Sequence, residues 1–408
     1  MQVNPDRLLN RISRMNAIGA LPGGGVCRLS LTDEDKAARD LLAAWMREEG
    51  LEVKIDELGN MYGIRQGRSS LPAVAIGSHL DTVTTGGKYD GTYGVLAGLE
   101  VINVLNENKV QTDRPVALIN FTNEEGARFA PDMMGSLVVS KPHLRDEIWE
   151  AKALDSGQAT IRQELKRIGY LGEVACGSIP IDYYLELHIE QGPILEHERI
   201  NIGCVEKVQG IYWTEYELHG RAAHAGTTPL AVRKDPGLLA SSVNVFIRQL
   251  AEQVPGQLGT IGLMEFTPNV INVVPDRVRM ITDLRNPDHD KLHQAQRQLD
   301  EFILVESEKS GIKVERTERV RLAPVDFSKE VVEVVATAGG QLKLSTRHMV
   351  SGAGHDAQMM AAVSKAAMIF VPSVGGISHN INEHTEPADL VNGANVLLQA
   401  ALRLAGAV

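Results

Sequence analysis

The histidines of this chain, twelve in all, are unevenly placed, and three of them stand where chemistry is done. His79 and His188 each close an apolar run, and His379 follows another by a short loop. Three acidic features share that placement: Asp81 and Asp90 in GSHLDTVTTGGKYDG, and the pair Glu124-Glu125 in FTNEEGARF. In open α/β sheets, groups beyond the carboxyl ends of strands converge on one crevice. Imidazole and carboxylate without thiolate suit Zn²⁺, Mn²⁺, Co²⁺ or Ni²⁺. Two such ions, ~3.5–4 Å apart in hydrolytic sites, need a carboxylate to bridge them. Asp90 is the candidate bridge, with Gly86 and Gly87 letting the backbone turn toward the ions. Asp81, two residues after His79, is placed to hold a histidine in orientation. Glu124 and Glu125 point apart if the chain is extended there. One of the two then binds metal while the other serves as general base toward water. His143, His197, His219, His289, His293 and His348 lack such placement and read as structural.

These groups need rigid elements behind them. The runs 71 to 78, 114 to 122 and 182 to 190 read as buried strands, and 94 to 108 as an amphipathic helix. A further strand at 366 to 372 and a helical tail resume the same layer. This alternation predicts an α/β fold with a central, mostly parallel sheet. From about 208 to 321 the rhythm changes to β-α-β-β-α-β, the order of a ferredoxin-like unit. The chain is therefore expected to form a catalytic domain from 1–207 and 322–408, with 208–321 inserted into it.

Composition narrows the function further. The net charge of -11 argues against nucleic-acid or anionic-membrane partners. Cys27, Cys176 and Cys204 form no CxxC pair, so neither a disulfide framework nor a thiolate zinc site is expected. The first residues carry no apolar signal core, and a cytoplasmic location is expected.

The strings GSHLDTVTTGGKYDGTYGVLAGLE, TNEEGARFAP, ELHIEQGPILE, AAHAGTTP, NVVPDRVRMITDLRNPD, SGAGHDA and GGISHNINE resemble the hydantoinase/carbamoylase family. That family holds N-carbamoyl-L-amino-acid hydrolases, allantoate amidohydrolases and β-ureidopropionases. The resemblance implies a metallopeptidase-like catalytic domain and an inserted domain that pairs two subunits. It implies two divalent ions per subunit, held by His79, Asp90, Glu125, His188 and His379, with Asp90 bridging. His79 and His188 would serve one ion, Glu125 and His379 the other, and Glu124 would be the base. Of His379 and His384, the family's SHNxxE pattern selects His379. Gln191, His224, Asn272 and Arg285 match the family's substrate contacts. In SGAGHDA, backbone around Ala353 and Gly354 and the side chain of His355 would close the pocket. His224 is expected to act across the dimer interface. The implied reaction removes the carbamoyl group from an N-carbamoyl-L-amino acid, giving amino acid, CO₂ and ammonia. Allantoate, ureidoglycolate or β-ureidopropionate hydrolysis uses the same chemistry. An aminopeptidase or dipeptidase of the wider superfamily fits HIEQG and TNEEGARF less well. A catalytically dead binding protein fits poorly, because every ligand and the base are present.

Overall fold

The apolar runs become strands that are covered on both faces. Ala73–His79 and Val116–Phe121 are buried at every position. Ile181–Ile189 is buried from Tyr184 onward, and Lys365–Val371 from Ala366 onward. Near-continuous burial is the mark of parallel strands, and these four are parallel to one another. Their order across the sheet is Val116–Phe121, Ala73–His79, Ile181–Ile189, Lys365–Val371. The chain thus moves one way from Ala73–His79, then returns to its other side. The reversal falls between the strand that ends in His79 and the strand that carries His188, where a crevice opens beyond the carboxyl ends. Antiparallel strands extend this mixed sheet: Met61–Arg65 and Glu52–Ile55 on one side, Ile202–Val208 on the other.

The computed structural model describes residues 1–155 and 157–407. They divide into two compact units, Met1–Glu206 with Asp326–Val408, and Lys207–Val325. The helix Thr92–Glu107 differs from the amphipathic expectation. It is buried continuously from Thr92 to Leu105, because it packs between the sheet and the helices Pro5–Asn16 and Pro387–Leu404. Its polar exceptions are paired: Arg7 donates to both oxygens of Glu100, at 2.6 and 2.7 Å, and Arg11 donates to Asn103.

In the second unit, strands Gly210–His219, Leu258–Thr267, Arg277–Asn286 and Lys313–Leu322 alternate with helices Pro236–Gln253 and His289–Ser310. The order is β-α-β-β-α-β, and every pairing in the four-stranded sheet is antiparallel. Each helix starts at an aspartate cap. Asp235 accepts from the N–H groups of Gly237 and Leu238, with Pro236 in the first turn. Asp288 caps the second helix in the same way. Period-two alternation turns Tyr212, Tyr216 and Leu218, and Val278, Met280 and Leu284, inward onto Leu239, Val243, Ile247, Leu292, Leu299 and Ile303. Each fully buried aliphatic side chain of this kind contributes about 1.5–3 kcal/mol. No helix among the described residues is long and apolar enough to cross a membrane.

Candidate metal centre

His79 is the last residue of its strand, and His188 the next to last of its own. Beyond them, Asp90 lies in the loop leading to the helix Thr92–Glu107. The Nδ1 of His79 is 2.9 Å from the carbonyl of Asp81, and that of His188 is 2.8 Å from the carbonyl of Ile189. A carbonyl can only accept, so each Nδ1 carries the proton and each Nε2 presents a lone pair. The Gly91 N–H, which donates to Nε2 of His188 at 3.2 Å, requires the same tautomer.

Those lone pairs meet Asp90. Its Oδ1 is 3.1 Å from Nε2 of His188 and 3.7 Å from Nε2 of His79. Its Oδ2 is 3.2 Å from Nε2 of His379, which is 3.3 Å from Oε2 of Glu125. Two sets result, His79–Asp90–His188 and Asp90–Glu125–His379, and Asp90 belongs to both. Ligand atoms bonded to one Zn²⁺ at roughly 2.0–2.2 Å sit about 3–3.6 Å apart, so the spacing fits. The donor chemistry fits as well, since nitrogen lone pairs and carboxylate oxygens gathered so closely favour a cation among them. His384 stays outside this cluster, 3.5 Å from Glu386.

Charge and burial act together on these groups. Burial pulls His79 down to about 4. For His188, burial is outweighed by the hydrogen bond and charge of Asp90, with help from Glu186, so a positive charge at its Nε2 is favoured, whether carried by a proton or by a cation bound to the lone pair, and its pKa rises to about 9. Glu124 and Glu125 are pushed well above the usual carboxylate range, by burial first and by neighbouring acids second. Asp90 goes the other way despite burial, because His188 and His379 stabilise its charge.

Three supports differ from expectation. The side chain of Asp81 does not hold His79, from which it stands 4.0 Å away. Its carbonyl does that, while its two carboxylate oxygens accept the N–H groups of Glu124 and Glu125, both at 3.2 Å. Glu124 and Glu125 diverge through a turn, with Asn123 and Gly126 at positive φ, rather than by strand alternation. Glu124 reaches toward His79, 3.4 Å from Nε2, and Glu125 toward His379. The glycine that turns the chain at Asp90 is Gly91, at φ +60, where a Cβ would collide with the ring of His79. Gly86 and Gly87 have no positive φ. A Cβ on Gly87 would instead strike the carboxylate of Glu383.

Glu383, the last residue of the SHNxxE pattern, is one to which the sequence reading gave no role. It is 3% exposed. Its Oε1 accepts from the N–H groups of Tyr89 and Asp90 at 2.9 and 3.2 Å, and its Oε2 accepts from Ser378 at 2.8 Å. It therefore fixes the loop that carries the shared carboxylate. The only signal was its place in GGISHNINE, four residues after His379.

The expected substrate contacts fall in both units. Gln191, at φ +57, donates from Nε2 to Oδ2 of Asp90 at 2.9 Å. Gly354 lies in the loop before His355, and His355 is almost fully buried. The His355 Nε2 is 3.0 Å from Oγ of Ser351, and its ring meets that of His188 edge-on at 4.6 Å. His355 thus backs a candidate ligand. His224, Asn272 and Arg285 belong to the inserted unit. His224 lies in a two-stranded ribbon with Val273–Val274, and Asn272 immediately precedes that second strand, with the Ala225 N–H donating to the Asn272 carbonyl. Nδ1 of His224 accepts from Gly226 and Thr227 at 3.0 and 3.2 Å, so Nε2–H is its free donor. Nε of Arg285 donates to both oxygens of Asp283, at 3.0 and 3.1 Å, a partner the sequence reading did not include.

Comparison with known proteins agrees with this geometry. The profile of peptidase family M20/M25/M40 matches residues 75–403. The chain is 40% identical to the N-carbamoyl-L-amino-acid amidohydrolase of Rhizobium meliloti, over 99% of this chain and 97% of that one. It is 32% identical to the ureidoglycolate hydrolase of Arabidopsis thaliana, over 97% of this chain and 86% of that one. A crystal structure of a hydantoinase/carbamoylase family amidase from Burkholderia multivorans superposes with a TM-score of 0.95. That protein is 43% identical, with 99% of this chain and 98% of that one covered.

Proposed function

The chain belongs to peptidase family M20/M25/M40 and, within it, to the hydantoinase/carbamoylase amidases, and from that premise we propose that it hydrolyses the carbamoyl C–N bond of N-carbamoyl-L-amino acids. The products are the L-amino acid, CO₂ and ammonia. One observation carries the reading: Asp90 offers one oxygen to His79 and His188 and the other to His379, beside Glu125. His79, His188 and Asp90 would hold one divalent ion, and Asp90, Glu125 and His379 a second. Zn²⁺, Mn²⁺, Co²⁺ and Ni²⁺ all suit this donor set. Bound there, such ions polarise a carbonyl and lower the pKa of water.

The remaining work falls to the chain. Glu124, held by the Asp81 carboxylate through its backbone, takes the proton from the attacking water and returns it to the leaving nitrogen. Nε2–H of His224 donates to the oxyanion that forms at the carbamoyl carbon. Arg285 grips the substrate carboxylate with parallel hydrogen bonds. Gln191, Asn272 and the backbone at Gly354 position the ureido group, and His355 steadies His188. We further propose that the inserted unit pairs two subunits and that His224 serves the partner's site. A cytoplasmic location suits this chemistry.

A second reading, ureidoglycolate or allantoate hydrolysis, is favoured by the similarity to the Arabidopsis thaliana protein. Ammonia release from a panel of N-carbamoyl-L-amino acids, ureidoglycolate, allantoate and β-ureidopropionate separates the two. Preference for N-carbamoyl-L-amino acids supports the first reading, and preference for ureidoglycolate or allantoate replaces it with the second.

A further inference from the structure

Arg28 is wholly buried, and among the described residues no carboxylate lies within ion-pair reach of it. A buried charge without a partner is costly, so its hydrogen bonds must place it where it is useful. Nε donates to the carbonyl of Leu80 at 3.0 Å, and Nη2 to Oγ1 of Thr92 at 2.7 Å. Nη1 donates to the carbonyls of Met15 and Ile18, at 3.3 and 3.1 Å. Leu80 stands between His79 and Asp81. Thr92 opens the helix Thr92–Glu107, two residues after Asp90. The backbone strengthens the hold on the segment that carries His79, since the N–H of Arg28 donates to Oγ1 of Thr82 at 2.8 Å and the N–H of Thr82 donates to the Arg28 carbonyl at 3.0 Å. One planar fork therefore spans the two segments that carry His79 and Asp90.

We propose that Arg28 is a positioning residue for the metal centre, setting the spacing between His79 and Asp90 through Leu80 and Thr92. The inference rests on the metal reading of that site. Against the cost of burial, the charges of Asp35 and Asp81 favour the protonated form of Arg28. The rigid guanidinium matters because its donors leave in fixed, separate directions. A lysine ammonium carries charge to one point and cannot hold both segments at their separation.

The test is Mn²⁺ binding to chelator-stripped protein, followed by the paramagnetic resonance of free Mn²⁺, with folding checked by circular dichroism at the same temperature. Arg28→Met is expected to weaken the tighter ion by about 10–100-fold, the range for groups that orient ligands. Arg28→Lys is expected to restore part of that loss, and Thr92→Val to weaken the ion by a smaller factor. Wild-type affinity in Arg28→Lys would show that charge alone suffices and would overturn the positioning role. So would wild-type affinity in Thr92→Val, which decides the matter if the Arg28 variants do not fold. A wild-type protein that binds no Mn²⁺ removes the metal reading itself, and this inference with it.

Discussion

The two units bury different things. In the unit built from Met1–Glu206 and Asp326–Val408, Arg28, Arg39, Asp81, Asp90, Glu124, Glu186, His188, Asp356 and Glu383 are all inside. In Lys207–Val325, Glu215 is the one buried charged side chain among the described residues, and Arg279 and Arg319 each meet it at 2.7 Å. The apolar cluster of that unit is Leu, Ile, Val, Tyr, Met and Ala, and its other buried polar residues, Thr214, Thr282, Asn286 and Gln296 among them, carry no charge. An apolar core needs only shape, whereas interior charge must be satisfied by partners or by ions. The first unit accordingly holds the two candidate metal-binding groups that share Asp90.

This contrast predicts which measurement each substitution moves. Glu124→Gln keeps shape and loses the base, so turnover should fall by ~10²–10⁴-fold. Metal content by elemental analysis should stay near wild type; loss of metal with turnover retained would mean that the two glutamates have exchanged roles. Glu383→Gln weakens the hold on the Asp90 loop and should cost about 10–100-fold in metal affinity, measured by competition with a chelator. Unchanged affinity would make Glu383 a loop residue only.

In the inserted unit the effects should leave metal untouched. Arg285→Lys loses the fork, and hydrogen bonds to charged groups contribute about 1.5–3 kcal/mol, so KM should rise roughly tenfold to a hundredfold. Metal content should not change, and a drop in it would break the division between the units. The smallest signal is complementation. Glu124→Gln and His224→Ala chains, unfolded and refolded together, should regain roughly a quarter of wild-type activity if His224 acts on the partner's site. Half the dimers are then mixed, and each has one intact site. No recovery with mixed dimers present would return His224 to its own chain.

The pattern of the contrast was partly legible in the sequence. Strand-end placement brought out His79 and His188, because a buried parallel strand leaves its polar residue at the carboxyl end. The β-α-β-β-α-β rhythm of the segment from about 208 to 321 is the order found in Lys207–Val325, because local periodicity decides each element. Glu383 was not legible, since its value comes from a hydrogen bond to an N–H 293 residues away. Arg28 was invisible for the same reason: nothing local shows that its guanidinium reaches Leu80 and Thr92. Asp81 was noticed but misassigned. Sequence distance suggested His79, while the fold turned its carboxylate to Glu124 and Glu125. The helix after Asp90 reads as amphipathic in the sequence but is buried, because Arg7 and Arg11, distant in sequence, cover its Glu100 and Asn103.

The central claim is that one shared carboxylate organises two ions that hydrolysis requires. Stripped wild-type and Asp90→Ala proteins, titrated with Zn²⁺ or Mn²⁺ while bound metal and ammonia release from an N-carbamoyl-L-amino acid are followed together, test it most directly. The account predicts two ions per wild-type chain, activity that appears only as they bind, and loss of both in Asp90→Ala. Full turnover by wild-type protein shown to be free of metal would contradict it.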